Sequence, residues 1–174
     1  MDFSIKKDGK YVDKNLYHID LENSVFSCDI DGLDLDFTGH DGWTFRVSSN
    51  CTFKVDVYCT FNTKSNCTFE TGYYCTFNTG ANCTFETGYS CVFNTCSGCS
   101  FVTGGKCTFN TGRCCNFVTS ELCTFSLTNI SSQTFKRLYY GNGDGGSGII
   151  LDRNDSKHYV LNEEFIRLQK ILKG

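Results

Sequence analysis

CTFNTGANCTFETGYS, residues 75–90, contains one eight-residue unit twice with small changes. Divided into eights from Trp43, the chain gives eleven such octads, which end at Ile130. The first residue of an octad is usually Cys, the second Thr, the third Phe and the fifth Thr. A fixed short period of this kind indicates an architecture in which each unit packs against its neighbours along one axis.

Alternation within the octad predicts a β-strand. Positions one, three and five share one parity, and positions two and four share the other, which is the period of two that a strand imposes. Cys and Phe are among the residue types that are commonly buried, so their parity should face inward. Gly, Ser, Asn and Lys collect at positions six to eight, where they indicate a bend.

Position four reveals a longer period. Asn occupies it every sixteen residues, and Glu or Val occupies it in the octads between: Asn62, Asn78, Asn94 and Asn110 against Glu70, Glu86, Val102 and Val118. Octads of the same class should therefore be neighbours, with two octads in each coil. A triangular solenoid would repeat at 24 residues. A three-chain helix with octads would give no reason for alternate octads to differ.

The predicted fold is all-β: a single-chain β-solenoid with two parallel sheets and sixteen residues per coil. Eleven octads give five and a half coils, with eleven phenylalanines in two inward columns. We expect residues 35–130 to form the solenoid, with 35–42 as a degenerate octad in which Leu35 takes the first position and Phe37 the third. Residues 1–34 should form an acidic, β-rich cap. Residues 131–174 should form a second cap, with a hairpin that turns at Asn154–Asp155 and a helix after Asn162.

Charge and hydropathy limit the classes of partner. The net charge is −3, and residues 1–42 hold ten acidic and four basic residues, a net charge of −6. This balance does not favour nucleic acid or an anionic membrane as a partner. The sequence shows no apolar core of a signal peptide and no run of 18 apolar residues. We expect a virion or cytoplasmic location, no enzymatic activity, and no catalytic, cofactor or metal site.

Thirteen cysteines raise the question of metal binding or disulfides. Most of them lie at position one of the octad, so the lattice explains them without oxidation. Cys96, Cys99, Cys114 and Cys115 are the notable group, because the predicted coil brings them to adjoining bends. A zinc site, a Cys96–Cys114 disulfide and free thiols are the alternatives.

Other motifs carry weaker signals. GNGDGG contains Gly141, Gly143 and Gly146 at the spacing of a nucleotide-binding loop, but a strand rather than a helix should follow it, so we interpret it as a linker. Asn142 and Asp144 offer oxygen ligands for calcium as an alternative. His18, His40 and His158 are isolated in sequence. Acid pairs such as Asp29 and Asp31 alternate along apparent strands, as solvated side chains do.

Outward-facing polar rows are the candidate binding surface. Threonine at position two and asparagine at position four should align along one sheet, which gives these candidates: Thr60, Asn62, Thr76, Asn78, Asn94, Thr108 and Asn110. A glycan or another surface is one ligand that such rows could recognise. Ice is the other, because insect ice-binding solenoids use flat threonine arrays, although here Val92 and Asn116 interrupt the threonine rows.

The repeat CTFxTGxx and its lead-in DLDFTGHDGWTF (residues 34–45) resemble octapeptide-repeat β-solenoid proteins of bacteriophage and viral genomes. The likeness covers roughly residues 28–130. It implies a structural virion-type protein, a rigid spacer in a fibre, tail or capsid decoration. Other virion structural proteins, or further copies of the same chain, would be its partners, and a surface glycan is the alternative.

Overall fold

A computed structural model of the chain describes residues 3–120, 122–128, 132–137, 148–152 and 157–161, with side chains for 3–120, 122–128 and 132–135. The described part contains one short 3-10 helix, Lys14–Leu16, and nineteen strands numbered in chain order. The strands are β1 Ser4–Lys7, β2 Lys10–Tyr11, β3 His18–Asp20, β4 Val25–Cys28, β5 Leu33–Phe37, β6 Thr44–Val47, β7 Thr52–Val55, β8 Thr60–Asn62, β9 Thr68–Thr71, β10 Thr76–Thr79, β11 Thr84–Thr87, β12 Val92–Thr95, β13 Ser100–Thr103, β14 Thr108–Thr111, β15 Asn116–Thr119, β16 Thr124–Leu127, β17 Thr134–Arg137, β18 Gly148–Asp152 and β19 Lys157–Leu161.

The strands form two sheets that face each other. One sheet has the order β17-β15-β13-β11-β9-β7-β5-β1-β2, and the other has the order β19-β18-β16-β14-β12-β10-β8-β6-β4-β3. Through the octads each strand pairs in parallel with the strand sixteen residues away, as Phe77 does with Phe61 and Phe93. The predicted two-sheet β-solenoid with sixteen-residue coils is confirmed.

Stacked phenylalanine rings fill the space between the sheets. Within each column of the eleven octad phenylalanines, successive rings lie parallel with centroids 4.8–5.1 Å apart. Rings of opposite columns meet edge to face, as Phe77 does with Phe85 at 5.1 Å and 75°. Both arrangements are favoured by the aromatic quadrupole. All eleven rings are at most 1% exposed, so the predicted core is confirmed.

The cysteine at position one lies where a bend enters a strand. Its sulfur faces carbonyl oxygens of its own bend and of the preceding coil: Cys91 Sγ lies 3.7 Å from the oxygens of both Tyr89 and Gly72. Both oxygens also accept a backbone N–H, from Tyr74 and from Gly88 respectively, so the S–H group adds a weak second hydrogen bond while the sulfur fills the apolar interior. This combination explains why a small thiol, rather than a purely aliphatic side chain, recurs at this position.

Each of the first ten octads ends on a residue in the left-handed region. Along one edge these residues are Asn or Gly, as at Asn66 and Gly98, which tolerate a positive φ, until Cys114 takes the position. Along the other edge they include Tyr58, Tyr74 and Lys106, with φ of 59–60°. For such side chains the left-handed conformation costs roughly 1–2 kcal/mol per residue, so packing along the axis, rather than local preference, sets the bend.

The parallel lattice begins before the octads. β4 pairs in parallel with β6, and β5 with β7, so a complete coil precedes Trp43. Strands β1 and β3 then pair antiparallel with β5 and β4, so the stack of parallel strands stops at this end of the solenoid. The predicted register of 35–42 is wrong: Leu35 pairs with Phe53, and Phe37 with Val55. A slip of two residues leaves the same side chains facing inward, so alternation alone does not reveal it.

The lattice also continues after Ile130. β17 pairs in parallel with β15, and Phe135 stacks on Phe117 at 5.2 Å despite two extra residues before it. Gln133 takes the place of the first-position cysteine: its oxygen accepts from Cys115 N at 2.9 Å, and its amide donates to Gly112 O at 2.8 Å. Seven coils, β4 to β17, therefore replace the predicted five and a half.

At the C-terminal end, β18 pairs in parallel with β16 and antiparallel with β19. The predicted turn at Asn154–Asp155 and the predicted helix after Asn162 lie outside the described residues.

Removal of one ring from a column tests this account of the core. Phe85→Ala should lower the free energy of unfolding by about 3–5 kcal/mol, the usual cost of a large cavity among close-packed rings. Thr84→Ala, on the outward face of the same strand, should change it by less than about 0.5 kcal/mol. Urea unfolding followed by circular dichroism measures both. Equal effects of the two substitutions would contradict an aromatic interior.

Candidate functional site

The seven predicted binding-face residues lie on one sheet and share one face. They belong to β8, β10, β12 and β14, whose parallel register aligns Thr60 with Thr76 and Asn78 with Asn94. Val92 lies between Thr76 and Thr108 and interrupts the threonine row. The sequence therefore located these side chains on a common surface.

The four asparagines form a hydrogen-bonded ladder along the axis. Asn78 Nδ2 donates to Asn62 Oδ1 at 3.1 Å, Asn94 to Asn78 at 3.0 Å and Asn110 to Asn94 at 3.5 Å. Each inner asparagine uses one donor and one acceptor in the ladder, which leaves one N–H and one oxygen lone pair for solvent or a ligand. The first role of this row is thus to link successive coils.

On the opposite sheet, the outward residues at position four are charged or apolar. Lys54, Glu70, Glu86, Val102 and Val118 follow one another from β7 to β15. Lys54 Nζ lies 3.9 Å from Glu70 Oε1, with both side chains more than half exposed. Such an exposed ion pair contributes little to stability. Position four thus carries Asn on the outer face of one sheet and Lys, Glu or Val on the outer face of the other, which is the structural basis of the sixteen-residue alternation.

The Cys96, Cys99, Cys114 and Cys115 group divides by burial. Cys99 and Cys115 lie in the inward row, whereas Cys96 and Cys114 are exposed in the bends. Their sulfurs are recorded as free thiols. Within the ranges described above, no group of three or more His, Cys, Asp or Glu side chains is placed to hold a metal ion. The structure therefore separates two buried thiols from two exposed ones, and the zinc, disulfide and free-thiol alternatives stay predictions.

The buried first-position sulfurs are shielded from solvent, and hydrogen bonds between thiols of successive coils shift their pKa values in both directions. Hydrogen bonds from two neighbouring thiols lower the pKa values of Cys83 and Cys91. Hydrogen bonds to neighbouring thiols, followed by burial, raise the pKa values of Cys67, Cys75, Cys99 and Cys107 above the ordinary range. Burial also raises the pKa of Cys28. Because the thiolate is the reactive form, the thiols with raised pKa values stay protonated at neutral pH, and burial keeps the whole row away from reagents in solvent.

Carboxylates of the N-terminal part serve as local hydrogen-bond acceptors. Hydrogen bonds from Ser48 and from the backbone N–H of Ser49 lower the pKa of Asp31. Bonds from the Thr38 hydroxyl and N–H lower the pKa of Asp36. These exposed acids fix bends between strands, so their arrangement fits a structural role rather than acid–base catalysis.

The remaining sequence motifs do not join a common site in the described structure. His40 packs its ring 4.7 Å from that of Phe3, and His18 lies on β3. His158 lies on β19, at the other end of the solenoid. Gly141, Gly143 and Gly146, with Asn142 and Asp144, lie outside the described residues, so the linker and calcium interpretations stay predictions.

An exposed cluster of four tyrosines lies along one edge, where it was not predicted. Tyr58, Tyr73, Tyr74 and Tyr89 are 37–58% exposed and occupy positions seven and eight of three successive coils. The sequence contained the signal: Tyr58 and Tyr74, like Tyr73 and Tyr89, are sixteen residues apart.

Comparison with family models, with curated proteins and with solved structures finds no match to this chain. The repeating β-solenoid is shown by the structure itself, and the proposed viral family rests on the sequence resemblance alone. Among the residues described, none belongs to a helix with the length and apolar character that crossing a membrane requires.

Thiol accessibility distinguishes the three alternatives for the cysteines. Of the thirteen thiols, Cys96 and Cys114 alone should react rapidly with a thiol-specific chromogenic reagent under native conditions, and all thirteen should react after denaturation without a reductant. The Cys96→Ser variant should lose one equivalent of the rapid reaction. No rapid reaction before reduction would indicate a disulfide. Zinc near one equivalent that is lost in Cys96→Ser would indicate a metal site.

Proposed function

We propose that this protein is a non-enzymatic structural component of a virion, a rigid spacer in a fibre, tail or capsid decoration. The observation that supports the proposal best is the unbroken stack of seven coils around parallel phenylalanine columns. Such a stack has a fixed length, because each octad strand pairs in parallel with the strand of the next coil. Length and stiffness are the properties that a spacer needs.

The energetic pattern supports the same role. Each octad coil buries two phenylalanine rings, and burial of each ring contributes roughly 2 kcal/mol or more relative to exposure. Stability in a solenoid is approximately a sum of repeat and neighbour contributions. At roughly 4.8 Å per coil, seven coils give a rod core on the order of 30 Å long. A rod of this design changes length only by whole coils.

The ends are the proposed attachment points. The N-terminal cap has a groove of about 560 Å³ lined by five apolar or aromatic residues and one lysine: Phe3, Ile5, Tyr17, Ile19, Leu21 and Lys14. Leu21 is 59% exposed there. Apolar surface of this kind, within an acidic segment, suits contact with another virion protein or with a second copy of the chain. We therefore propose that partners bind at the end of the rod rather than along its faces.

Particle composition tests the proposal. Purified particles from the source of this protein should contain the chain in stoichiometric amounts, as measured by quantitative mass spectrometry. Leu21→Asp, which adds a charge to the groove, should remove the protein from particles without unfolding it. Leu122→Asp changes an equally exposed leucine on an edge and should leave incorporation intact. Absence of the wild-type chain from particles would refute the proposed role.

A further inference from the structure

The four edge tyrosines form a packed surface rather than isolated side chains. Tyr58 stacks on Tyr74 at 5.2 Å, and Tyr73 stacks on Tyr89 at 5.1 Å, with interplanar angles of 6° and 8°. The two stacks contact each other edge to face, with Tyr73 and Tyr74 centroids 5.4 Å apart. We call these four residues the tyrosine edge. It extends over three coils and holds its rings in fixed orientations.

The last ring of the tyrosine edge has one uncovered face. One face of Tyr89 packs on Tyr73, and in the next coil Gly105 stands where another tyrosine would continue the column, beside Gly104 of the position-six glycine row. The backbone of Gly104 approaches so closely that an added Cβ would lie 3.1 Å from Tyr89 Cβ. A groove of about 380 Å³ opens at this point, with Glu86, Tyr89, Val102 and Ser120 in its lining. The groove thus combines an aromatic wall with a glycine floor.

Polar groups around the groove match hydroxyl chemistry. Glu86 supplies a carboxylate acceptor and Ser120 a hydroxyl that can both donate and accept. Among the residues that line the groove, Glu86 alone is charged. Its carboxylate next to an aromatic wall disfavours an anion such as nucleic acid, whereas the hydroxyls of a neutral sugar can donate hydrogen bonds to it.

We propose that the tyrosine edge and its groove bind a neutral glycan. A pyranose ring with equatorial hydroxyls presents an apolar C–H face, which would cover the free face of Tyr89, while its hydroxyls would bond to Glu86 and Ser120. Tyrosine suits such contacts because it offers a rigid apolar ring with a polar tip. Three coils of fixed rings provide room for more than one sugar. The inference is independent of the virion role.

Filling the groove is the sharpest test. Gly105→Tyr places a third ring in the Tyr73–Tyr89 column, at an octad position where the chain already carries tyrosine, so the fold should be retained while the free ring face is covered. Tyr89→Ala removes the wall, and Tyr89→Phe keeps it. Tyr11→Ala is the matched control, because Tyr11 is 75% exposed far from the groove, near Lys6.

The probes are neutral oligosaccharides of β-1,4-linked glucose and of β-1,4-linked N-acetylglucosamine, titrated against the full chain by protein-observed NMR. We expect binding of at least one series, a loss of affinity of about tenfold or more in Gly105→Tyr and Tyr89→Ala, and a change below about twofold in Tyr11→Ala and Tyr89→Phe. Circular dichroism and thermal unfolding confirm that the variants are folded.

Three outcomes would overturn the proposal. The first is no binding of either oligosaccharide series at millimolar concentration. The second is binding that Gly105→Tyr does not weaken although the variant is folded. The third is preferential binding of heparin or of an oligoarginine peptide, included as anionic and cationic probes, which would show that charge and not an apolar sugar face is recognised.

Discussion

Contact between side chains sixteen residues apart is the constraint on which the structure depends. Two phenylalanine columns fill the interior at a ring spacing of about 4.9 Å, which is close to the spacing between paired strands. Hydrogen bonding between backbones and stacking between rings therefore favour the same axial rise. A side chain of another size in either column would pack at a spacing that no longer matches the distance between paired strands. This explains why Phe persists through eleven octads while the outward positions vary.

The other ladders follow from that spacing. Once equivalent residues stand one strand apart, asparagine amides reach each other and bond in series. First-position sulfurs likewise reach carbonyl oxygens of the preceding coil, as Cys91 does with Gly72. The same alignment compels the eighth residue into the left-handed region whether it is Asn66 or Tyr74. In the tyrosine edge, stacking of the rings of Tyr58 and Tyr74 offsets the cost of their left-handed backbone conformation.

Periodicity made the central part of the fold predictable. The alternation of Asn62 and Glu70 gave the coil length, and the parity of Phe77 gave the inward face, because both depend on spacing that the sequence displays directly. The ends were less predictable. Phe26 and Leu35 continue the core without the Cys-Thr-Phe signature, and a two-residue slip at Leu35 preserves parity. The tyrosine edge was missed because bend positions carry no burial signal of their own, and Tyr74 in a left-handed conformation contradicts local preference.

Thermal unfolding of two insertion variants tests the sixteen-residue coil most directly. A second copy of residues 75–90 inserted after Ser90 adds a whole coil, so the melting temperature should be unchanged or higher. A second copy of residues 75–82 inserted after Asn82 moves every later strand to the opposite sheet and stacks Glu86 on Asn78, so the melting temperature should fall. Equal melting temperatures for the two variants, or a higher one for the single-octad insertion, would contradict the account.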